Sequence, residues 1–213
     1  MNRLQAELHR LYHPSAPGDV RALLLELARP ADWEALGPAW RGVQADLQLP
    51  APGIAVSGTD GLQLWFSLQQ PVSVARAADF LARLQARYLP GIAPARLRLL
   101  PLGQAPQVPE QDAATGNWSA FIAPDLAPVF ADTPWLDIPP GVEGQADLLA
   151  KLKSIKPATF DAAMQALIPA TVTAAADEAV DIDPRHFLQR VLNDETIDLA
   201  LRVEAAKALL RRE

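Results

Sequence analysis

The residues VRALLLEL at positions 20–27 constrain the fold more than any other part of the chain. They are too few and too continuously apolar for a surface helix, and they read as a buried strand. Two further strand-like runs, IAVS at 54–57 and LQLWFSL at 62–68, flank Gly58-Thr59-Asp60-Gly61, a turn-rich tetrapeptide suited to a hairpin. Helical spacing surrounds these strands. Leu4, Leu8, Leu11 and Tyr12 mark a first helix, stopped by Pro14 and Pro17-Gly18, and Trp33, Leu36, Trp40, Val43 and Leu47 mark a second. Ser73 is the expected N-cap of a third helix carrying Val74, Ala77, Phe80, Leu81, Leu84 and Tyr88, and Leu97, Leu99 and Leu100 suggest another strand.

The order strand, helix, hairpin, helix, strand excludes an all-helical fold and leaves α/β or α+β. Residues 101–117 read as a proline-rich loop, and 118–122 as a short strand returning to the sheet. Helical segments are expected at 143–153 and 158–168, followed by an Ala/Thr-rich linker or weak helix at 170–180. From Asp183, an N-cap with Pro184 at the first helical position, a C-terminal helical hairpin is expected. The expected organisation is an α+β domain at 1–135, a helical extension and linker at 136–180, and the hairpin at 181–213.

Composition removes several kinds of chemistry. The chain of 213 residues has no cysteine, so it has no disulfide, thiolate nucleophile or thiolate-ligated metal. Its three histidines, His9, His13 and His186, offer metals little, and neither a metal nor a cofactor is expected. No apolar run reaches the ~20 residues of a membrane span, and the charged, amphipathic N-terminus lacks the core of a secretory signal, so a cytoplasmic protein is expected. A net charge of −6 opposes generic charge-driven nucleic-acid binding. Charge is uneven, however. Arg76, Arg83, Arg87, Arg96 and Arg98 face a single acid, Asp79, between positions 76 and 98, whereas 101–150 holds seven acids and no base. The five arginines are the candidate ligand or nucleic-acid contacts; their bland reading is a solvated helix face. No dinucleotide fingerprint, phosphate-binding P-loop, zincin motif or nucleophile elbow is present.

One constellation resembles a known family. The strand ALLLEL, then Pro30, the helix with Trp33, the hairpin VSGTDGLQLWFSL and the helix with Phe80 resemble, in order, the core of the archaeo-eukaryotic primase superfamily. Within it the likeness is to the polymerase domain of bacterial ligase D, over about residues 20–130. Ser57, Gly58, Gly61 and Leu62 match the S-G-G-K-G-L-H hairpin in register. The family's first strand ends in Asp-x-Asp-Pro, whose acids resemble the two-metal ligands of nucleotidyl transferases. Here Glu26, Leu27 and Ala28 stand at that place, with Arg29 before the proline. Asp60 replaces the hairpin lysine, Gln63 replaces the histidine, and Asp125 after FIAP is the candidate for the third carboxylate.

The resemblance therefore implies a primase-like α+β fold, an antiparallel or mixed sheet with flanking helices, whose polymerase site has degenerated, with Glu26, Ser57, Gln63 and Asp125 as its vestiges. The expected function is a non-catalytic binding or scaffold module in DNA metabolism or on a mobile element. It would use a groove roofed by the hairpin at 57–63 and flanked by Arg76, Arg83 and Arg87. Two alternatives accompany it. One is an interaction module working through the C-terminal helices or the acidic stretch around Trp135; the other is a metal-dependent nucleotidyl transferase whose altered ligands are Glu26 and Asp125. The partner, protein or nucleic acid, is not identified by the sequence.

Overall fold

Helix α1 (Arg3–Tyr12) starts with a reciprocal cap: the Asn2 side chain accepts the Gln5 amide while the Gln5 side chain accepts the Asn2 N–H. The computed structural model describes residues 2–103 and 107–168, together with Leu188, Arg202, Val203, Ala206 and Lys207, which are helical. After α1 come β1 (Asp19–Ala28), α2 (Trp33–Ala45), β2 (Gly53–Val56), β3 (Gly61–Ser73) and α3 (Val74–Tyr88). A single 3₁₀ turn (Pro94–Arg96) leads into β4 (Leu97–Leu102), and β5 (Ala120–Ile122), α4 (Val142–Ala150) and α5 (Pro157–Ala166) follow. Asp32 and Ser73 cap α2 and α3 by accepting the Ala35 and Arg76 amides, as their residue types favour.

The strands form one five-stranded sheet in the order β4-β1-β3-β2-β5, with every pairing antiparallel. Glu26 lies opposite Gln63 on one side and Arg98 on the other, and Gln63 lies opposite Ala55, which faces Phe121. Because side chains alternate along a strand, this register sorts residues onto two faces. Leu23, Leu25, Leu27, Leu62, Leu64, Phe66, Ile54 and Val56 pack with Leu36 and Val43 of α2, Phe80, Leu81 and Leu84 of α3, and Phe160 and Met164 of α5. The opposite face carries Ala22, Leu24, Trp65, Ala55 and Phe121 against Leu4, Leu11 and Tyr12 of α1 and Ala146 and Leu149 of α4. The interior strand β1 is thus covered on both sides, which is why its run from Ala22 to Leu25 is apolar on both faces.

Two irregularities shape the sheet ends. The β1–β3 register shifts between Val20 and Ala22, and Arg21 at that point donates from Nε to the Leu68 carbonyl at 2.8 Å. Beyond the end of β2, residues around Ile155 run beside β3: Gln69 N–H donates to the Ile155 carbonyl at 2.8 Å, and Ile155 N–H to Ser67 at 2.7 Å. At the β5 edge, the buried Gln145 amide accepts the Phe121 N–H and donates to the Phe121 carbonyl, both at 2.8 Å. A side chain thereby occupies backbone positions that would otherwise invite another strand.

The chain divides into two compact units, Met1–Leu167 and Ile168–Glu213. Helices α4 and α5, expected as part of an extension beyond residue 135, bury Leu149 and Phe160 against the sheet and so belong to the first unit. The expected linker at 170–180 lies outside the described residues, as does the hairpin at 181–213 apart from the five positions named. Among the described residues no helix is long and apolar enough to cross a membrane.

Candidate functional site

Glu26 sits near the C-terminal end of β1 with 2% of its surface exposed, a placement that an ionised carboxylate tolerates only with partners. Gln63 Nε2 donates to Glu26 Oε2 at 2.7 Å, and Arg98 Nη1 donates to Oε1 at 3.3 Å. Gln63, 7% exposed, in turn accepts the Trp65 indole N–H at 2.9 Å. These four side chains come from three adjacent strands and share one face, so the network follows from the register. Gly61 makes room for it, because a Cβ there would stand 3.0 Å from Glu26 Cγ and 3.1 Å from Oε1.

The hairpin tip beside it is also satisfied internally. Ser57 Oγ accepts the backbone N–H groups of Thr59, Asp60 and Gly61 at 3.1, 3.1 and 2.9 Å. Amides that converge in this way suit an oxygen of an anion, and here the serine hydroxyl occupies the position. Gly58, at φ +84°, donates to the Pro134 carbonyl at 3.0 Å, and a Cβ on it would lie 2.8 Å from the Ser119 nitrogen.

Asp125 is not part of this cluster. It is exposed and follows β5, three strands from Glu26, which at ~4.8 Å per strand is about 14 Å across the sheet. It also follows the C-terminal end of β5, which runs away from the hairpin tip. Metal–oxygen bonds of ~2 Å do not let two such carboxylates share one ion. Asp125 instead borders an apolar cleft of about 320 Å³ lined by Trp40, Ile54, Phe121, Leu148 and Leu152. Among the described residues no three His, Asp or Glu side chains gather as a metal site.

The five arginines do not flank a common groove. Arg76, Arg83 and Arg87 lie on α3, which covers the sheet face opposite the one that carries Glu26 and Gln63. Arg76 pairs with Asp161 at 2.5 Å and stands 5.5 Å from the Phe160 ring centroid. Arg83 pairs with Asp79 and donates to the Met164 carbonyl, and Arg87 donates to the carbonyl of Ala166 and to Asp46. Together they fasten α5 to α3. Arg96 donates to the carbonyls of Ala28 and Pro30, and Arg29 Nη2 to that of Ala95, tying the 3₁₀ turn to the end of β1. Only Arg98 joins the Glu26 network. The expected groove between hairpin and α3 fails because period-two alternation sends Gln63 and the α3-facing residues to opposite sides.

Trp65 was absent from the expected site. Its signal was alternation, since Gln63 and Trp65 are two apart on one strand, but that signal names a face and not a partner. The Glu26–Arg98 pairing had no sequence signal, because 72 residues separate them.

No family model matches the chain, and no curated protein matches it. Among solved structures it is similar to the AEP domain (PP-N190) of the cyanophage S-2L primase-polymerase, at 20% identity and a TM-score of 0.31. The likeness covers 62% of this chain and 61% of that one, so the chain spans less than two thirds of that domain.

Proposed function

We propose that this chain is a non-catalytic binding module of primase-like ancestry. The ancestry rests on the ordered strand, Pro30, Trp33 helix and Ser57–Gly61 hairpin. The loss of chemistry is supported by one observation above the rest: both Glu26 oxygens are engaged by groups of the protein's own, and a guanidinium stands against the carboxylate that a dication would need. An ion entering there must displace Arg98 and oppose its charge; at ~4 Å and an effective dielectric near 20, one pair of unit charges is worth about 4 kcal/mol. The carboxylate, Gln63 and Trp65 then serve as a buried polar brace, and Ser57 serves as the internal cap of the hairpin. A setting in DNA metabolism or on a mobile element is what the resemblance implies.

The test is calorimetric titration with a ribonucleoside and a deoxynucleoside triphosphate, each with and without manganese, followed by primer extension. Equal heats with and without manganese, and no extension, are expected. Micromolar binding that appears only with manganese overturns the proposal.

A second reading draws on the acidic stretch after β5, where Val129 and Ile138 are 68% and 72% exposed and Trp135 is half-buried. Exposed apolar side chains around an aromatic favour a protein-docking segment. Retention of a captured partner after Val129→Ser/Ile138→Ser would eliminate that reading.

A further inference from the structure

A cleft of about 690 Å³ opens where the end of α1, the β1 irregularity, the tail of β3 and the start of α5 meet, and its wall is cationic. Arg10, Arg21, Lys153 and Lys156 line it, and among the described residues no aspartate or glutamate does, in a protein whose net charge is −6. Arg10 is partly neutralised by Glu7 at 2.6 Å and closes the end of α4 by donating to the Leu149 and Leu152 carbonyls. The other three have no carboxylate within ion-pairing distance among the described residues.

Arg21 is the most telling of them. It is 8% exposed, and its side chain meets the Leu68 carbonyl and the ring of His13. A buried guanidinium is normally accompanied by a carboxylate, because desolvating a cation costs several kcal/mol. Here the register shift fixes its position, and the compensating negative charge is left to come from outside.

A second feature converges on the same cleft. Helix α5, ten residues long, begins at its rim: Lys156 is its N-cap residue, Pro157 its first residue, and Thr159 lines the cleft. Among the described residues no side chain caps that end, so the amides of Ala158 and Thr159 and the positive end of the helix dipole lack a side-chain acceptor. Lys153–Lys156 are positioned by the Ile155 backbone bonds to β3, and Ser67 Oγ lies 2.6 Å from Ser154 Oγ. The positive groups are therefore mounted on the sheet and not on a free loop.

We infer that this cleft is a binding site for a small anion carrying several phosphate groups, held by Arg21, Lys153, Lys156 and the start of α5. A compact oligophosphate fits better than a nucleic-acid strand for two reasons. Among the described residues no aromatic side chain lines the cleft to stack a base, and the chain's net charge of −6 repels an extended polyanion. The inference rests on the reading of the chain as a binding module, but not on its ancestry. The site uses none of the Glu26 network and needs no divalent ion.

The experiment is calorimetry of the full chain with inorganic tripolyphosphate, in EDTA at low salt, which separates it from the manganese-dependent titration. Binding at about 10–100 µM is expected, weakening steeply with salt. Lys153→Gln/Lys156→Gln, both exposed positions, is expected to weaken it at least about tenfold. Lys151→Gln, in the neighbouring apolar cleft, is expected to leave it unchanged. A parallel titration with a metal-free nucleoside triphosphate identifies the source: equal affinity means that the phosphate chain alone is read, and affinity tighter by about tenfold means a nucleotide. Absence of binding at millimolar tripolyphosphate, undiminished binding by the double variant, or tighter binding of a 12-nucleotide single strand each overturns the inference. Silence here together with manganese-independent silence in the earlier titration removes the phosphate site and leaves the degenerate-site reading standing.

Discussion

Replacing Gln63 by leucine keeps the side chain's approximate volume and removes both hydrogen bonds that pass through it. The Trp65 indole N–H, on a residue 4% exposed, loses its acceptor, and Glu26 loses its 2.7 Å donor. An unpaired buried donor costs about 1–3 kcal/mol, and a bond to a charged group is worth about 1.5–3 kcal/mol. Leucine returns part of this through apolar burial, so Gln63→Leu is expected to destabilise the first unit by about 2–4 kcal/mol. For a chain of this length each kcal/mol moves the midpoint by roughly 2–4 °C, which gives a Tm lower by roughly 5–15 °C. Urea unfolding followed by tryptophan fluorescence, with an unchanged slope, reads the free energy, and scanning calorimetry reads Tm. Removing every member tests the cause. The triple variant Glu26→Leu/Gln63→Leu/Trp65→Phe leaves no buried group unpaired, and Arg98, already 60% exposed in its side chain, turns to water. It is expected to lie within about 1 kcal/mol of the parent. A Gln63→Leu cost below about 1 kcal/mol, or a triple variant weaker than the single one, would show that water rather than Gln63 satisfies the carboxylate.

Four smaller perturbations test other parts of the fold. Tyr12→Phe is expected to raise stability by up to about 1 kcal/mol, read by urea unfolding, since the buried Tyr12 hydroxyl has no partner among the described residues and burial holds its ionisation well above the ordinary tyrosine range. Gln145→Leu leaves the Phe121 N–H and carbonyl unpaired and is expected to cost about 2–4 kcal/mol; light scattering should also detect association through the opened β5 edge. Gly58→Ala, strained at φ +84° and 2.8 Å from a backbone nitrogen, is expected to lower stability by about 2–3 kcal/mol in the same assay. The His13 ring is held below the ordinary histidine range by burial first, then by Arg21 and His9, so the folded state favours the neutral ring. Its contribution is complete above about pH 6.5 and is lost as pH falls through the folded value, so Tm should drop on acidification from pH 7.5 to 5, and His13→Gln should flatten that slope.

The local elements were legible because each is written in a short window. The apolar run at 20–27, the Gly58–Gly61 turn and the Ser73 cap appear in the structure where spacing and residue type put them. Their order excluded an all-helical fold and left α/β or α+β, and the antiparallel pairing of all five strands decides for α+β. The site was legible only in part. Glu26 and Gln63 do meet, whereas Asp125 stands three strands away and the arginines of α3 face the other side of the sheet. Strand order decides these relations, and nothing in a window of ten or fifteen residues encodes which strand lies beside which.

The sequence by itself therefore determined the strands and helices of the first unit, the Ser73 cap, and the absence of cysteine chemistry, because backbone preference and hydrophobic period act between near neighbours. Tertiary structure alone decided that Arg98 neutralises Glu26, that Gln145 closes the β5 edge, and that Arg21 shares a cleft with Lys153 and Lys156. Those meetings depend on charges and hydrogen-bonding groups brought within a few ångströms by sheet register, across separations of 24 to 135 residues.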